Sequence, residues 1–345
     1  MSFRASLVVA GLALAAGPVL AQDNCPHRGD LDASFCDANK DLVADAPTDP
    51  KRWKNPSVLV FTYTPVEDPA VYEKTFKPFT DYLGQCTDKR VVFFQVQSNA
   101  AQVEAMRSGR LHVGGFSTGP TAFAVNLAGA VPFAVKGDEK GYQAYNLIIV
   151  VKADGPIKTV ADLKGKRVAH TAPSSNSGNL APRALFPKLG VTPDTDYKVV
   201  YSGGHDRSVL GVRTGDYDAA PVASDVFARM IDRGTVKADE FRIVWRSDPF
   251  PTSSFAYAHD LEPRLRDRML KCFYDYRFTD EMKKAFDGAD RFFPITYQKD
   301  WAVVREVAAG SGESFGAAAF KTLAEREEAA RKKAAEAKAA AAQKQ

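Results

Sequence analysis

Short apolar runs alternate with amphipathic stretches along most of the chain. Ser57-Val58-Leu59-Val60-Phe61 is rich in β-formers and predicts a buried strand, closed by the turn Thr62-Tyr63-Thr64-Pro65. Residues 68–83 follow with Val71, Phe76, Phe79 and Leu83 at helical spacing. Strands are then predicted at 90–96 and 111–116, with helices at 102–108 and 118–127. A second series opens with an apolar strand at 147–151. It continues as helix, turn and strand over 157–169, helix 179–189, strand 197–201, helix 207–214, strand 219–222, helix 224–232 and strand 241–245. Residues 261–278 place Leu265, Met269 and Phe273 on one helical face.

This alternation predicts an α/β protein of two lobes, each a mostly parallel sheet flanked by helices. The boundaries read as lobe 1 over 56–146 plus 257–315 and lobe 2 over 147–256. A polar extension (22–55) precedes them and an Ala-, Lys- and Glu-rich tail (316–345) follows. The tail has high helix propensity but little bulky apolar surface, so it is predicted to stand off the core, mobile or helical. Docking on a partner is its alternative role.

The amino terminus reads as an export signal: Arg4, an apolar run from Leu7 to Leu20, and Val19-Leu20-Ala21 as the cleavage site, so 1–21 is predicted to be removed after Ala21. Cys25 follows Gln22-Asp23-Asn24 rather than small apolar residues, which argues against a lipid anchor. No other run is long and apolar enough to cross a bilayer. Charge is close to balance, with 46 Lys and Arg against 42 Asp and Glu, and no basic stripe suggests nucleic acid. Four cysteines in an exported chain predict disulfides, and three pairings are open. Cys25 with Cys36 and Cys86 with Cys272 is preferred, because the first two are close in sequence. No C-x-x-C pair suggests a reactive thiol.

Two kinds of local chemistry stand out. Asp37, Asn39 and Asp41, with Asp45 beyond, place oxygen ligands as a calcium loop opens, although Leu42 replaces the usual glycine and no Glu closes the loop. A solvated acidic turn is the plainer reading. Hydroxyl-rich segments also precede several predicted helices. Ser175, Asn176 and Ser177, with Gly178, stand where helix-start N–H groups can converge on an anion, or where they merely cap the helix. Ser98-Asn99 and Ser117-Thr118 repeat the device in the first lobe. Tyr63 and Thr64 follow the first strand at its carboxyl end, where open α/β sheets bind ligands.

Several segments resemble one family. The stretch 157–169 resembles the second-lobe entry of type II periplasmic binding proteins. Pro173-Ser174-Ser175-Asn176-Ser177-Gly178-Asn179-Leu180, then Ser202-Gly203-Gly204-His205-Asp206 and Gly215-Asp216-Tyr217-Asp218, resemble the phosphate/phosphite/phosphonate binding proteins of ABC importers. Residues 104–109 leading to Phe116 fit the same pattern. The resemblance spans roughly 58–297. It departs at Phe116, where an aromatic hydroxyl is common, and at Asn176, where Thr is frequent. It implies a periplasmic protein, expected to be a monomer, that captures a small anionic ligand between hinged lobes for an inner-membrane permease. The resemblance implies contacts at Phe116, Ser175, Asn176, Ser177, His205 and Asp225, to which the strand-end Tyr63 and Thr64 and the helix-start Ser117 are added from their positions, with no cofactor and no catalysis. Asp225 would accept a hydrogen bond from a protonated oxyanion or an amine. The same fold tuned to another anion or a metal chelate, a sensor for a membrane receptor, and an enzyme are the alternatives. An enzyme is disfavoured because His205 has no nucleophile beside it.

Overall fold

The computed structural model describes residues 25–67, 69–312 and 314–342; the export segment 1–21 lies outside them. The chain runs β1 (Val58–Tyr63), α1 (Pro69–Thr87), β2 (Arg90–Phe93), α2 (Asn99–Arg107), β3 (Val113–Phe116), α3 (Thr118–Ala128), β4 (Ala130–Asp138) and the short β5 (Gly141–Tyr142). It continues through β6 (Ala144–Lys152), β7 (Arg167–His170), α4 (Ala181–Leu185), β8 (Lys198–Tyr201), α5 (His205–Thr214), β9 (Ala219–Ala223), α6 (Ser224–Asp232) and β10 (Phe241–Pro251). It ends with β11 (Ser254–Ala258), α7 (Pro263–Asp275), α8 (Asp280–Ala285), β12 (Arg291–Pro294), α9 (Tyr297–Asp300), α10 (Ala302–Ser311) and α11 (Ala317–Ala342).

Two sheets result. The first has the order β12-β4-β11-β3-β1-β2, with β5 on β4; the second has the order β10-β6-β9-β7-β8. Parallel pairing is confined to β1 with β2 and β3, and β7 with β8 and β9. The remaining pairs are antiparallel, so the sheets are mixed rather than mostly parallel. The reason is topological. A helix returns the chain to the same edge and gives a parallel neighbour, whereas β4, β6, β10 and β11 carry the chain between sheets and run against their neighbours. The crossings fall between Tyr142 and Ala144 and between Pro251 and Ser254. They precede the breaks expected after 146 and 256, because Ala144 and Tyr145 already pair in the second sheet and Ser254 and Phe255 already pair in the first.

The first sheet is held by aromatic packing. Phe61 meets Phe76 at 5.3 Å between ring centroids, Phe79 meets Phe273 at 4.7 Å, and Phe255 meets Phe292 at 4.7 Å. Such pairs contribute about 0.5–1.5 kcal/mol each beyond their buried area. Cys86 and Cys272 join the end of α1 to α7, and Cys25 joins Cys36, which is the preferred pairing of the three.

One more expectation changes, that of the tail, while the acidic loop takes its plainer reading as a turn. The tail does not stand off the core: α11 leads from Phe315 through Phe320 and Leu323, all buried, and Phe315 and Phe320 pack on Phe123 at 5.0 and 5.6 Å. Few large side chains suffice, because 320, 323 and 327 share one helical face, and that face is the buried one. The acidic loop turns its oxygens onto its own backbone. The Asp37 carboxylate accepts from Asp41 N and Leu42 N at 2.9 and 3.1 Å, Asp45 accepts from Ala38 N, and Asn39 bonds Asp41. Among the described residues no cluster of three or more His, Cys, Asp or Glu is grouped to hold a metal ion. The loop is a self-bonded turn.

Candidate functional site

The turns at the carboxyl ends of the strands in both sheets face each other around a cavity of about 90 Å³. From the first sheet come Tyr63, Ser98, Asn99, Ser117 and Thr118. From the second come Tyr145, Ser175, Asn176, His205 and Asp225.

The serine turn is built locally. Thr171 follows β7, and the chain then folds into a π-helical turn at Asn176–Leu180 that leads into α4. Ser175 Oγ caps it by accepting from Gly178 N at 3.1 Å. Gly178 is required by packing rather than by ligand approach, since a Cβ there would lie 2.3 Å from Thr171 Oγ1. Asn176 Nδ2 donates to Tyr145 Oη at 3.1 Å, while its Oδ1 is buried with no partner. Ser177 Oγ and, on the crossing strand, Thr252 Oγ1 are likewise buried without partners. A buried hydroxyl left unbonded is costly, so these three groups mark where a polar guest belongs.

His205 sits beneath the turn. Its Nδ1 accepts from Ala223 N at 3.2 Å and lies 3.1 Å from Thr171 Oγ1, so Nε2 carries the proton and faces Ser175 Oγ at 3.5 Å. Burial pulls its pKa down to about 4, against the opposing pull of Asp225 and Glu67, so the ring is neutral. His205 braces three segments of the second lobe while lining the cavity.

Asp225, at the start of α6, accepts from Arg229 Nη1 at 2.9 Å, one turn along the helix. Burial alone would raise its pKa, but the Arg229 charge and hydrogen bond, helped by Lys136, hold it below the usual carboxylate range. Arg229 is the hub of an ion cluster that crosses the cleft. Glu67 of the first lobe accepts from both Arg229 and Arg233, and Asp287 accepts from Arg229 at 3.3 Å. Tyr72 Oη donates to the same Glu67 at 2.8 Å.

Among the expected residues, Tyr63, Ser117, Ser175, Asn176, His205 and Asp225 line the cavity. Tyr63 Oη accepts from the buried Lys136 Nζ at 2.7 Å, and Ser117 donates to Asn99 Oδ1 at 3.3 Å. Ser177 is buried directly behind the lining. Thr64 is set back and donates to Asn99 Oδ1 at 3.1 Å. Phe116 is fully buried in the hydrophobic core and is not among the residues that line the cavity, because a large apolar side chain gains more from burial there than from a polar cleft. The sequence reading missed Tyr145, Arg229, Glu67 and Glu327. Only the i,i+4 pair Asp225–Arg229 was legible; the others come together through tertiary approach.

Two α/β sheets whose strand-end turns converge on one polar cavity define a two-lobe small-molecule binding protein. The profile of the family described as ABC transporter, phosphonate, periplasmic substrate-binding protein matches residues 61–301, and the chain belongs to that family. A relative named phosphate-import protein PhnD, from Mycolicibacterium smegmatis, is 30% identical over 266 residues, covering 72% of this chain and 81% of its own. A relative named probable ABC transporter phosphite binding protein PhnD1, from Prochlorococcus marinus, is 23% identical over 227 residues, covering 64% and 76%. The fold matches the solved Prochlorococcus marinus PhnD1 in complex with methylphosphonate, with TM-score 0.67 and 19% identity over 75% of this chain and 100% of the other. It also matches a binding-protein component of an ABC phosphonate transporter from Pseudomonas aeruginosa, with TM-score 0.67 and 21% identity over 84% and 99%. The architecture is the type II periplasmic binding-protein fold, and the chain is a substrate-binding component of an ABC importer located in the periplasm.

Proposed function

We propose that the cleft captures a phosphorus oxyanion (phosphate, phosphite or a phosphonate) and presents it to an inner-membrane permease. The observation that carries this reading is a set of buried, unpartnered groups: on the cavity, the Thr252 hydroxyl, which can donate, and Asn176 Oδ1, which asks for a proton; directly behind the lining, the Ser177 hydroxyl. A partly protonated tetrahedral oxyanion offers both acceptor oxygens and one O–H, and the cavity volume suits one small head group. The names of the two relatives, phosphate import and phosphite binding, support the same class.

On this reading Asn176, Ser177, Thr252 and Ser117 contact the anion. Tyr63 and Tyr145 wall the site, and His205 and Asp225 hold its second-lobe face. The two lobes rotate about the crossings at 142–144 and 251–254, and the ligand shifts the population toward the form in which Asn99 meets Ser174. Export with cleavage after Ala21, and a monomeric mature chain, complete the reading.

The test is a thermal-shift screen of residues 22–345 against phosphate, phosphite, methylphosphonate and sulfate. A ligand at a hundred times its dissociation constant adds about 2.7 kcal/mol of stability. A shift with a phosphorus oxyanion that is lost in Ser177→Ala supports the reading; a shift with sulfate alone, or with none of the anions, overturns it.

A further inference from the structure

The C-terminal helix reaches into the cleft. Glu327, on the face of α11 that carries Phe320 and Leu323, is buried and lines the cavity. Its carboxylate takes donors from both lobes. Ala100 N, in the first turn of α2, donates to Oε2 at 3.0 Å, and Ser174 Oγ, in the serine turn of the second lobe, donates to Oε1 at 2.5 Å. Asn99 Nδ2 closes the triangle by donating to the same Ser174 Oγ at 3.1 Å. Among the described residues no Lys, Arg or His pairs with Glu327 at ion-pair distance. Its carboxyl oxygens are therefore met by hydrogen-bond donors of the kind an anionic ligand uses: a helix-start N–H and a serine hydroxyl.

We propose that Glu327 is a residue of the ligand site supplied by the C-terminal helix, acting as an internal carboxyl group that clasps the two lobes together and excludes an incoming oxyanion from the Ala100 and Ser174 donors. The proposal rests on the phosphorus-oxyanion reading above for the identity of the excluded ligand. The physical basis is chiefly occupancy. A carboxyl group bonded at 2.5 and 3.0 Å leaves those donors no free hydrogen; burial raises its pKa against the pull of the donors that bond it, so occupancy of the Ala100 and Ser174 donors, more than charge repulsion, is what excludes an anion. Ser175 and Asn176, which line the cavity, remain available to a ligand, which confines the head group to that side. The clasp also explains why α11 lies where it does. Phe315, Phe320 and Leu323 fix the helix on the first lobe, one turn short of the cleft, and Glu327 is the next residue on that face.

The test uses mature chains carrying Glu327 or Glu327→Ala, with Glu327→Gln as a second variant that keeps the side-chain shape and one acceptor oxygen. Each is measured by small-angle scattering without ligand, and by calorimetry with inorganic phosphate and methylphosphonate. The expected result is a larger radius of gyration for ligand-free Glu327→Ala and anion binding tightened by about tenfold or more, with Glu327→Gln between the two. Affinity that stays level or falls, while the unsubstituted protein binds, overturns the proposal and leaves the phosphorus-oxyanion reading standing. Absence of binding in all three proteins overturns that reading, and scattering alone then decides the clasp: expansion on substitution supports it, and an unchanged radius overturns it.

Discussion

Gly119 and Ser174 meet face to face across the cleft. A Cβ built on Gly119 would lie 2.2 Å from the Ser174 carbonyl oxygen and 3.2 Å from Asn176 N. Gly119 is in the first turn of α3 on one sheet, and Ser174 is in the serine turn of the other. The approach of the lobes is therefore set by a backbone contact that only glycine permits.

Gly119→Ala should accordingly hold the lobes apart. The contact involves backbone on the far side, which cannot swing away as a side-chain tip can. The expected outcome is anion affinity weakened by about tenfold or more, with a lower melting temperature for the ligand-free protein as well, since holding the lobes apart also pulls on the Arg229–Glu67 and Glu327–Ser174 contacts that cross the cleft. Calorimetry beside a thermal melt checks both halves. An alanine variant that binds as tightly as the parent would show that closure does not require this contact.

Removing Arg229 should destabilise the fold. Arg229 and Glu67 are both nearly inaccessible, and the loss of one partner strands the other's charge in the interior. Arg229→Met is expected to cost about 3 kcal/mol or more, moderated because Arg233 still reaches Glu67. The double variant Arg229→Met with Glu67→Gln should recover much of the loss. Urea denaturation midpoints for the single and double variants give the comparison.

Acid should begin to weaken the protein below about pH 6.5 through its buried histidines. Burial holds His170 and His205 at a pKa of about 4, against an ordinary value near 6.5. His170 Nδ1 faces Asn179 Oδ1 at 2.8 Å and Nε2 faces Tyr197 Oη at 2.9 Å, so the neutral ring is fully bonded. A group with a lowered histidine pKa binds its proton first in the unfolded state. Stability is therefore full above about pH 6.5, falls as pH drops toward 4, and loses nothing further from these groups below that. The total is on the order of 3 kcal/mol per histidine. Melting temperatures across pH 4 to 7.5 should trace this slope, and His170→Gln should flatten part of it. A flat profile over that range in the unsubstituted protein would contradict the buried neutral assignment.

Reduction should act mainly through the longer crosslink. Cys86–Cys272 spans 186 residues and Cys25–Cys36 spans 11. Chain-entropy arithmetic gives about 5 and about 3 kcal/mol as upper values. Cys86→Ala with Cys272→Ala should lower the melting temperature more than Cys25→Ala with Cys36→Ala. Equal shifts would mean that residual structure in the unfolded chain already restrains the longer loop.

By itself the sequence determined the local elements. Apolar runs such as 147–151 became strands and Phe76, Phe79 and Leu83 became the buried face of α1, because burial periodicity is written at short range. It also marked Ser175, Asn176, Ser177 and His205 through their order along the chain. Strands β4 and β12 were not legible, since Pro132, Gly137 and Pro294 interrupt the usual β pattern and pairing across the sheet overrides it; β11 is a short run, Ser254-Phe255-Ala256-Tyr257-Ala258, whose strand character comes from its pairing with β3 and β4. Tertiary structure alone decided the rest. Phe116 went to the core and not the cleft, Glu67 met Arg229 across 162 residues, and Glu327 met Ser174 across 153. Contacts at such separations depend on how two lobes and a final helix dock, and neither propensity nor spacing carries that information. The Ala-rich composition of α11 correctly favours a helix, but its direction into the cleft comes from the packing of Phe315 and Phe320 on Phe123.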